Sequence, residues 1–270
     1  MTKLCSVIIL CAALVLIPFA AYAAPVGNIA KPAMLKSLIL SKGNDEATFG
    51  VIAEGEFDFV NEINVKDDPG GSDSELGFLG GKLGLTLFKK FVIYGTLAGA
   101  WYEESFTDEG SSVKIESDKD ISYGVGATAI LYEKELSSFD NSILRLGVDG
   151  RFRFTDVDVD KVIIGGVTYT LPSGSVSNMS LEYSDWHIAG EVSLQWKRLI
   201  PYFGVRYFDF DSTAKATVSG TTYEDTGSKP KSHVGVFVGT DLVVFDSMSL
   251  NVEGRFIDEE AITVGCAVQF

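Results

Sequence analysis

His187 is the residue of this sequence whose type and setting are best suited to acid–base chemistry. It stands two residues after Asp185 and four before Glu191, and a neighbouring carboxylate can hold an imidazole as a general base. The chain has one other histidine, His233, and neither lies in a local signature of a known hydrolase or acyltransferase. We therefore predict no catalytic residue and a structural polar network around His187. An enzyme that uses His187 is a remote alternative.

Charged residues alternate with apolar ones in the stretch 144–154. Arg145, Asp149, Arg151 and Arg153 fall on one set of alternate positions, and leucine, valine and phenylalanine fall on the other. Successive side chains of a β-strand point to opposite faces, so the stretch predicts a strand with one apolar and one charged face. These charges are candidates for ion pairs rather than for catalysis.

The same alternation recurs in ten predicted strands. They are residues 47–60, 75–88, 91–103, 120–132, 144–154, 181–197, 200–211, 233–245, 249–258 and 261–270. Long polar connections follow the first, third, fifth and seventh strands, and short turns follow the second, sixth and eighth. The alternation of long connections with short turns, the strand lengths and the even number of strands are typical of a closed antiparallel transmembrane β-barrel. We predict about ten strands, with eight or twelve as the alternatives.

Fourteen ionisable side chains fall on the polar faces, and we predict that they form a charge network in the barrel lumen. They are Glu54, Glu56, Asp58, Lys82, Arg145, Asp149, Arg151, Arg153, His187, Glu191, Arg206, Asp241, Glu253 and Arg255. Seven are acidic and six are basic, so the charges nearly cancel. An enclosed unpaired charge is costly, so we expect pairs across the lumen that close it. Glu54, Glu56 and Glu191 are the expected partners of Arg145, Arg151 and Arg153.

Residues 1–23 have the features of a secretory signal peptide. Lys3 precedes an apolar run, and Ala21-Tyr22-Ala23 fits a small-residue cleavage site. The remaining chain carries 21 basic and 37 acidic residues, a net charge of −16, which argues against a nucleic-acid partner. The charges of the predicted lumen residues nearly cancel, so the excess negative charge falls in the long connections. No later apolar run reaches the roughly 20 residues that a membrane helix requires.

The segment 24–46 is the least strand-like part of the chain. Met34, Leu35, Leu38 and Ile39 recur at helical spacing, and Pro32 would stand in the first turn, where proline is tolerated. The pattern predicts a short amphipathic helix at the membrane interface or against the barrel mouth. A disordered segment is the alternative.

Two of the long connections contain predicted hairpin turns. Gly165-Gly166 separates two short β-like runs, and the stretch 217–223 has a similar pattern around Gly220. These connections are expected to project from the barrel as β-ribbons that offer edges to an extracellular ligand, with flexible loops as the alternative.

Neither metals nor cofactors are predicted from the sequence. Asp156, Asp158 and Asp160 form an acidic run, but Lys161 and Val167 stand where a calcium loop requires glycine and glutamate. Five aromatic residues near strand ends are expected to form girdles at the two membrane interfaces. They are Trp101, Tyr102, Tyr132, Trp196 and Tyr202.

The signal peptide, the repeated hairpins and the alternating end of residues 262–270 resemble those of small bacterial outer-membrane β-barrels. The group includes opacity-type proteins and the membrane domain of outer-membrane protein A. The resemblance implies a barrel domain over residues 47–270, periplasmic N- and C-termini, and contact with outer-membrane lipid and lipopolysaccharide. It also implies that Phe270 is the terminal aromatic residue that the barrel-assembly machinery recognises.

The expected role is therefore structural or one of surface interaction, with a lumen closed by paired charges and with acidic extracellular loops. A porin-like narrow passive pore for ions or small solutes is the alternative.

Overall fold

The computed structural model describes residues 25–35, 49–63, 73–108, 111–137, 141–174, 176–226, 232–257 and 259–270. Within these ranges the chain forms one short helix and thirteen β-strands. The helix is α1 (Lys31–Met34). The strands are β1 (Phe49–Ile63), β2 (Asp73–Leu87), β3 (Phe91–Asp108), β4 (Ser111–Ser117), β5 (Asp120–Leu136), β6 (Ser142–Ile164), β7 (Val167–Thr170), β8 (Val176–Gln195), β9 (Leu199–Val218), β10 (Thr221–Thr226), β11 (Val234–Phe245), β12 (Met248–Phe256) and β13 (Glu259–Gln269).

Ten of the strands form an antiparallel ring. Each of β1, β2, β3, β5, β6, β8, β9, β11, β12 and β13 pairs with the next. The last strand then pairs with the first, with Phe57 opposite Val264, so the ladder returns to its starting point. The predicted ten-stranded barrel is confirmed, and each ring strand corresponds to one predicted strand.

The outer face of the ring is apolar. Large hydrophobic side chains on alternate positions are exposed there, because a closed sheet with a polar interior turns its apolar positions outwards. They include Leu79, Leu83, Leu85, Ile93, Leu97, Val125, Phe152, Ile188, Phe203, Val205, Val238, Leu250, Val252, Ile262 and Val264. An apolar surface of this kind is suited to lipid rather than to water. We call it the apolar belt.

The three remaining strands lie beyond one end of the ring. β4 pairs with β3 and β6, β7 pairs with β6, and β10 pairs with β9. The turns at Gly165-Gly166 and Ser219-Gly220 have positive φ at both central residues, as a tight hairpin requires. Both predicted hairpins are confirmed. β4 was not predicted, because its stretch has the composition of a polar connection.

Strands of the ring continue into these extensions. β6 has 23 residues, and β8 and β9 have 20 each, about twice the 9–11 residues that a tilted membrane crossing requires. Side chains from β4, β6, β8 and β9 pack together beyond the ring into a separate hydrophobic cluster, which we call the outer core. It contains Val113, Ile115, Val159, Val162, Val176, Met179, Leu181, Ala214, Ala216 and Val218. The extensions are therefore packed β-ribbons.

The N-terminal segment 25–35 lies inside the ring. Its helix α1 is one turn long, with Pro32 in the first turn as predicted. The described part of the segment does not lie at the membrane interface, one of the two predicted places, because Val26, Ile29 and Leu35 are buried among interior side chains. Leu38, Ile39 and the predicted signal peptide lie outside the described residues. No helix in the described part of the chain is long and apolar enough to cross a membrane.

Candidate functional site

The interior of the ring holds all fourteen side chains predicted for the charge network. Eleven of them are at most 4% exposed, which places them among the most buried polar residues of the chain. The side chains of Glu54, Glu56 and Lys82 are 8%, 16% and 9% exposed. Since buried charges are stable only when they are paired, the contacts of each group decide what this interior can do.

Arg255 is the centre of an ionic cluster near the end of the ring that carries the ribbons. Its Nη2 lies 2.6 Å from Asp58 Oδ1, and its Nη1 donates to Thr263 Oγ1 at 2.6 Å. Its Nε contacts Glu259, whose Oε1 also lies 2.6 Å from Arg206 Nη2. Two arginines and two carboxylates thus neutralise one another across four strands.

A second arginine cluster lies beside the first. Arg153 Nε donates to Asp185 Oδ2 at 2.7 Å, and its guanidinium lies 4.1 Å from the centre of the Phe78 ring. A guanidinium over an aromatic face gains electrostatic attraction as well as packing. Arg151 Nη1 lies 3.8 Å from Glu56 Oε1, a looser ion pair.

His187 is held by a carboxylate in the middle of the interior. Its Nε2 lies 2.8 Å from Asp149 Oδ2, and the Tyr94 hydroxyl donates to Asp149 Oδ1 at 2.9 Å. Both oxygens of Asp149 are therefore occupied. His187 is 1% exposed, so a substrate has no access to its imidazole without movement of the surrounding side chains.

The segment 25–31 binds interior carboxylates through its backbone. The N–H groups of Val26 and Gly27 donate to Glu253 at 3.2 and 2.9 Å, and that of Ile29 donates to Glu191 at 3.2 Å. These contacts satisfy backbone donors that an extended segment cannot satisfy within itself.

Lys31 adds a charge contact to the same segment. Its Nζ lies 3.1 Å from Glu54 Oε2, and Lys82 Nζ lies 3.3 Å from the same oxygen. Burial disfavours the ammonium, but the carboxylates around it predominate and raise the pKa of Lys31 above its ordinary value. The lysine therefore stays charged and anchors the segment.

Apolar packing complements these polar contacts. Val26 and Ile29 pack with Ile130, Tyr202 and Phe237. The Tyr202 hydroxyl donates to Glu253 at 3.1 Å, so the aromatic ring packs on the segment while the hydroxyl reaches its carboxylate.

Leu35 packs at the opposite end of the segment. Its neighbours Ile52, Val92 and Ala267 lie close to the short-turn end of the ring. The segment 25–35 thus occupies the interior from this end towards the middle, and we call it the plug.

Several ion pairs differ from the predicted ones. Residues on neighbouring strands lie closer to the arginines than the predicted partners across the lumen do. Arg145 stands directly opposite Glu133 in the register and lies 2.6 Å from it, and Arg153 stands directly opposite Asp185. Directly opposed residues have Cβ atoms about 5 Å apart, nearer than a partner across the lumen. Of the three arginines assigned cross-lumen partners, the structure places Arg151 by a predicted carboxylate, Glu56.

Other residues of the network were not predicted. Asp185 shares the alternate positions of His187 and Glu191, so the strand pattern contained a signal for it. Glu259 falls in the gap between the predicted strands 249–258 and 261–270. Lys31 belongs to the segment 24–46, for which a place inside the barrel was not predicted. Tyr94 has the inward phase of its strand, but nothing in the pattern indicated its contact with Asp149.

The aromatic prediction is partly wrong. Tyr132 and Trp196 are 47% and 45% exposed, as girdle residues should be. Tyr102 and Tyr202 are buried in the interior, because both occupy the inward set of alternate positions in β3 and β9. Tyr102 donates to Glu104 there at 2.7 Å.

Phe270 lies beside the strand pair that closes the ring. Its N–H donates to the Val51 carbonyl at 2.7 Å, and its carbonyl accepts from the Val51 N–H at 3.2 Å. The side chain is 37% exposed. Recognition of Phe270 by an assembly machinery stays a prediction.

A ten-stranded antiparallel ring with an apolar belt and a charged interior defines a membrane-spanning β-barrel of the outer-membrane type. Comparison with known proteins gives no match to a family model and none to a curated protein.

Solved outer-membrane barrels do match in structure, at low identity. The outer membrane protease OmpT of Escherichia coli has a TM-score of 0.44 and 10% identity, over 87% of this chain and 99% of that one. The attachment invasion locus protein Ail of Yersinia pestis has a TM-score of 0.35 and 8% identity, over 83% of this chain and 99% of that one. The outer membrane protein OprG of Pseudomonas aeruginosa has a TM-score of 0.37 and 12% identity, over 83% of this chain and 97% of that one.

Proposed function

We propose that this chain is a non-enzymatic bacterial outer-membrane barrel with a closed lumen, which holds a rigid interaction surface outside the membrane. The observation that carries the proposal is the occupied interior. The plug binds Glu253, Glu191 and Glu54, and ion pairs such as Arg255–Asp58 lie towards the ribbon end. Hydrated ions would have to displace these paired groups to pass through.

The outer core supports the second half of the proposal. Val113, Ile115, Val162, Met179 and Val218 are buried in it although they lie beyond the ring. Such packing fixes the ribbons in one arrangement, which lowers the entropy cost of binding a partner.

The edges of the ribbons offer binding groups. β10 pairs with β9 on one side, and its other edge carries no partner strand among the described residues. Tyr223 on this strand is 53% exposed, and the exposed Glu224 follows it. An open strand edge with an exposed aromatic ring and a carboxylate suits an extended, basic peptide segment of an extracellular ligand.

The same features support a proposed orientation of the barrel. Outer-membrane barrels have short turns on the periplasmic side and long extensions outside. With the ribbons outside, the N- and C-termini are periplasmic, and the belt and ribbon bases meet outer-membrane lipid and lipopolysaccharide.

Conductance measurement tests the closed lumen. We expect the folded protein, verified by a heat-dependent shift on a detergent gel, to give no steady single-channel steps in a planar bilayer. The double variant Glu191→Gln/Glu253→Gln should conduct, because it weakens the acceptors of three plug N–H groups. Glu75→Gln, an exposed change on β2, is the matched control and should stay closed.

The passive pore is the competing outcome of the same experiment. Steady steps from the unaltered protein, with an ion preference that changes when Arg145, Arg151 and Arg153 are replaced, would establish a pore and refute the closed lumen.

A further inference from the structure

The strand β7 is an open edge of the ribbons. It pairs with β6 on one side, and its other side has no partner strand in the described part of the chain. All four residues are exposed, with Val167 at 55% and Tyr169 at 39%. Successive side chains point to opposite faces, so both faces of β7 are exposed as well as its edge. The unpaired backbone groups of such an edge are a template for a further strand.

The position of β7 is fixed by the residues on either side of it. Ile164 precedes the strand and Leu171 follows it, and both pack against the outer core. The Leu171 N–H also donates to the Asp160 carbonyl at 2.7 Å. An incoming strand would therefore meet an edge that is already extended, which lowers the entropy cost of pairing.

Charge favours a second copy of this chain as the partner of β7. The strand carries no charged side chain, although the chain has a formal net charge of −15. Beside it on β6, Asp160 and Lys161 form an ion pair at 3.3 Å. The open edge of β10 carries the exposed Glu224, which would meet like charge in a second copy. Two acidic chains can therefore pair at β7 without the repulsion that they would meet at β10.

The sequence of β7 is suited to antiparallel pairing with itself. A two-fold axis between Thr168 and Tyr169 places Thr168 of one copy opposite Tyr169 of the other, and Val167 opposite Thr170. Each cross-strand pair then joins a β-branched residue to a β-branched or aromatic one, and such pairs stabilise a sheet.

The direction of β7 determines where the second copy lies. β6 leaves the ring and runs outwards, and β7 is antiparallel to it, so β7 runs back towards the membrane. In two barrels of one membrane both β7 strands run towards that membrane and cannot be antiparallel to each other. In two barrels of facing membranes the strands run in opposite directions, as antiparallel pairing requires.

We propose that the open edge of β7 pairs with the same edge of a second copy in a facing outer membrane, so that the protein joins two cell surfaces. The inference rests on the surface role and the orientation proposed above, and it names a partner for one ribbon edge. A pairing of four residues is weak by itself, and many copies on two facing surfaces strengthen it through multivalency.

Clustering of lipid vesicles tests the proposal. Phosphatidylcholine vesicles with many copies of the folded protein should cluster, measured by light scattering, about tenfold faster than vesicles with Thr168→Glu/Tyr169→Glu, in which glutamates stand opposite glutamates. The matched control is Thr222→Glu/Tyr223→Glu, the same change at exposed positions of β10, which should cluster like the unaltered protein. Equal rates for the three proteins, or equal loss in the two variants, would overturn the inference.

Variants of opposite charge test the register. Vesicles with Thr168→Lys/Tyr169→Lys should not cluster alone, because lysines then stand opposite lysines. Mixed with vesicles that carry Thr168→Glu/Tyr169→Glu, they should cluster again. A mixture that stays dispersed would refute the antiparallel pairing of these two residues.

Energy transfer distinguishes copies in facing membranes from copies in one membrane. Donor-labelled and acceptor-labelled proteins in separate vesicles should show energy transfer on mixing. Transfer that arises only when both labels share a vesicle would mean that the copies associate within one membrane, and would refute the proposal.

Limited proteolysis separates a failure of this inference from a failure of the proposed function. Absence of clustering, with ribbons that resist proteolysis and a normal gel shift, would refute the pairing of β7 and leave the rigid outer surface intact. Ribbons that are cut as fast in the folded as in the unfolded protein would refute the rigid surface itself.

Discussion

At the scale of single residues, the interior charges pair both between neighbouring strands, as Arg153 does with Asp185, and between strands that are not paired, as Arg255 does with Asp58. Arg255 binds Asp58, Thr263 and Glu259 and is fully buried. A charge in this position stabilises the fold only while its partners remain, because none of the groups can be hydrated.

Replacement of Arg255 by methionine should therefore destabilise the barrel by about 3–5 kcal/mol, since Asp58 and Glu259 lose their shared cation. Urea unfolding followed by tryptophan fluorescence measures the change. Lys114→Met is the matched control, because Lys114 pairs with Glu103 and Glu116 at the surface, and such pairs contribute about 0–1 kcal/mol. Equal effects of the two changes would contradict the buried network.

Gly204 shows how closely the interior is packed against the wall. A Cβ at this position would lie 2.3 Å from Phe237 Cζ and 2.3 Å from the Gly190 carbonyl oxygen. Phe237 in turn packs on the plug residues Val26 and Ile29. Glycine is required here by the close approach of the aromatic ring.

Gly204→Ala should lower stability by about 1–3 kcal/mol through overpacking. The neighbouring change Gly190→Ala is the control, because a Cβ there would meet no atom within 4 Å. The temperature of the detergent-gel shift compares the two. If Gly204→Ala leaves the temperature of the gel shift unchanged, the Phe237 ring does not pack closely against position 204.

At the scale of elements, the ribbons and the membrane ring are separately packed. The outer core and the interior clusters share no buried residue, although β6, β8 and β9 contribute to both regions. Local loss of the outer core should therefore leave the ring intact.

Ile115→Ala tests this separation. The change leaves a cavity in the outer core that should cost about 2–5 kcal/mol, so limited proteolysis should cut the ribbons faster. The heat-dependent gel shift should persist. Val167→Ala, at a 55% exposed position on β7, should change neither readout. Loss of the gel shift in Ile115→Ala would show that the ribbons and the ring unfold together.

The ring strands could be predicted from sequence because their signal is local. Alternation such as that of Leu83, Leu85 and Leu87 is visible within one strand, and β1, β2 and β3 begin within two residues of their predicted starts. The two hairpin turns were visible in the same way.

The plug could not be predicted, because its contacts are not local. Val26 binds Glu253 across 227 residues, and no pattern near Val26 indicates that acceptor. The partners of Arg145 and Arg153 likewise depended on strand register, which alternation alone does not specify.

At the scale of the whole molecule, the apolar belt requires lipid around the ring. Leu83 is 63% exposed on β2, in the middle of the belt. In water such a surface would favour association between chains, whereas in a bilayer it meets acyl chains of matching polarity.

Leu83→Arg should therefore destabilise the protein in lipid vesicles by about 2–4 kcal/mol, the cost of arginine on a lipid face near the midplane. Val167→Arg is the control at an exposed ribbon position and should have little effect. Equal stability of the two variants would mean that Leu83 does not face lipid.

The length of β6 has a mechanical consequence. Its 23 residues extend about 75 Å without interruption, from the short-turn end of the ring into the outer ribbons. A pulling force on the ribbon tip would be transmitted along one backbone to many ladder hydrogen bonds loaded in parallel, in shear. This strand contains no hinge that would yield before the ladder does.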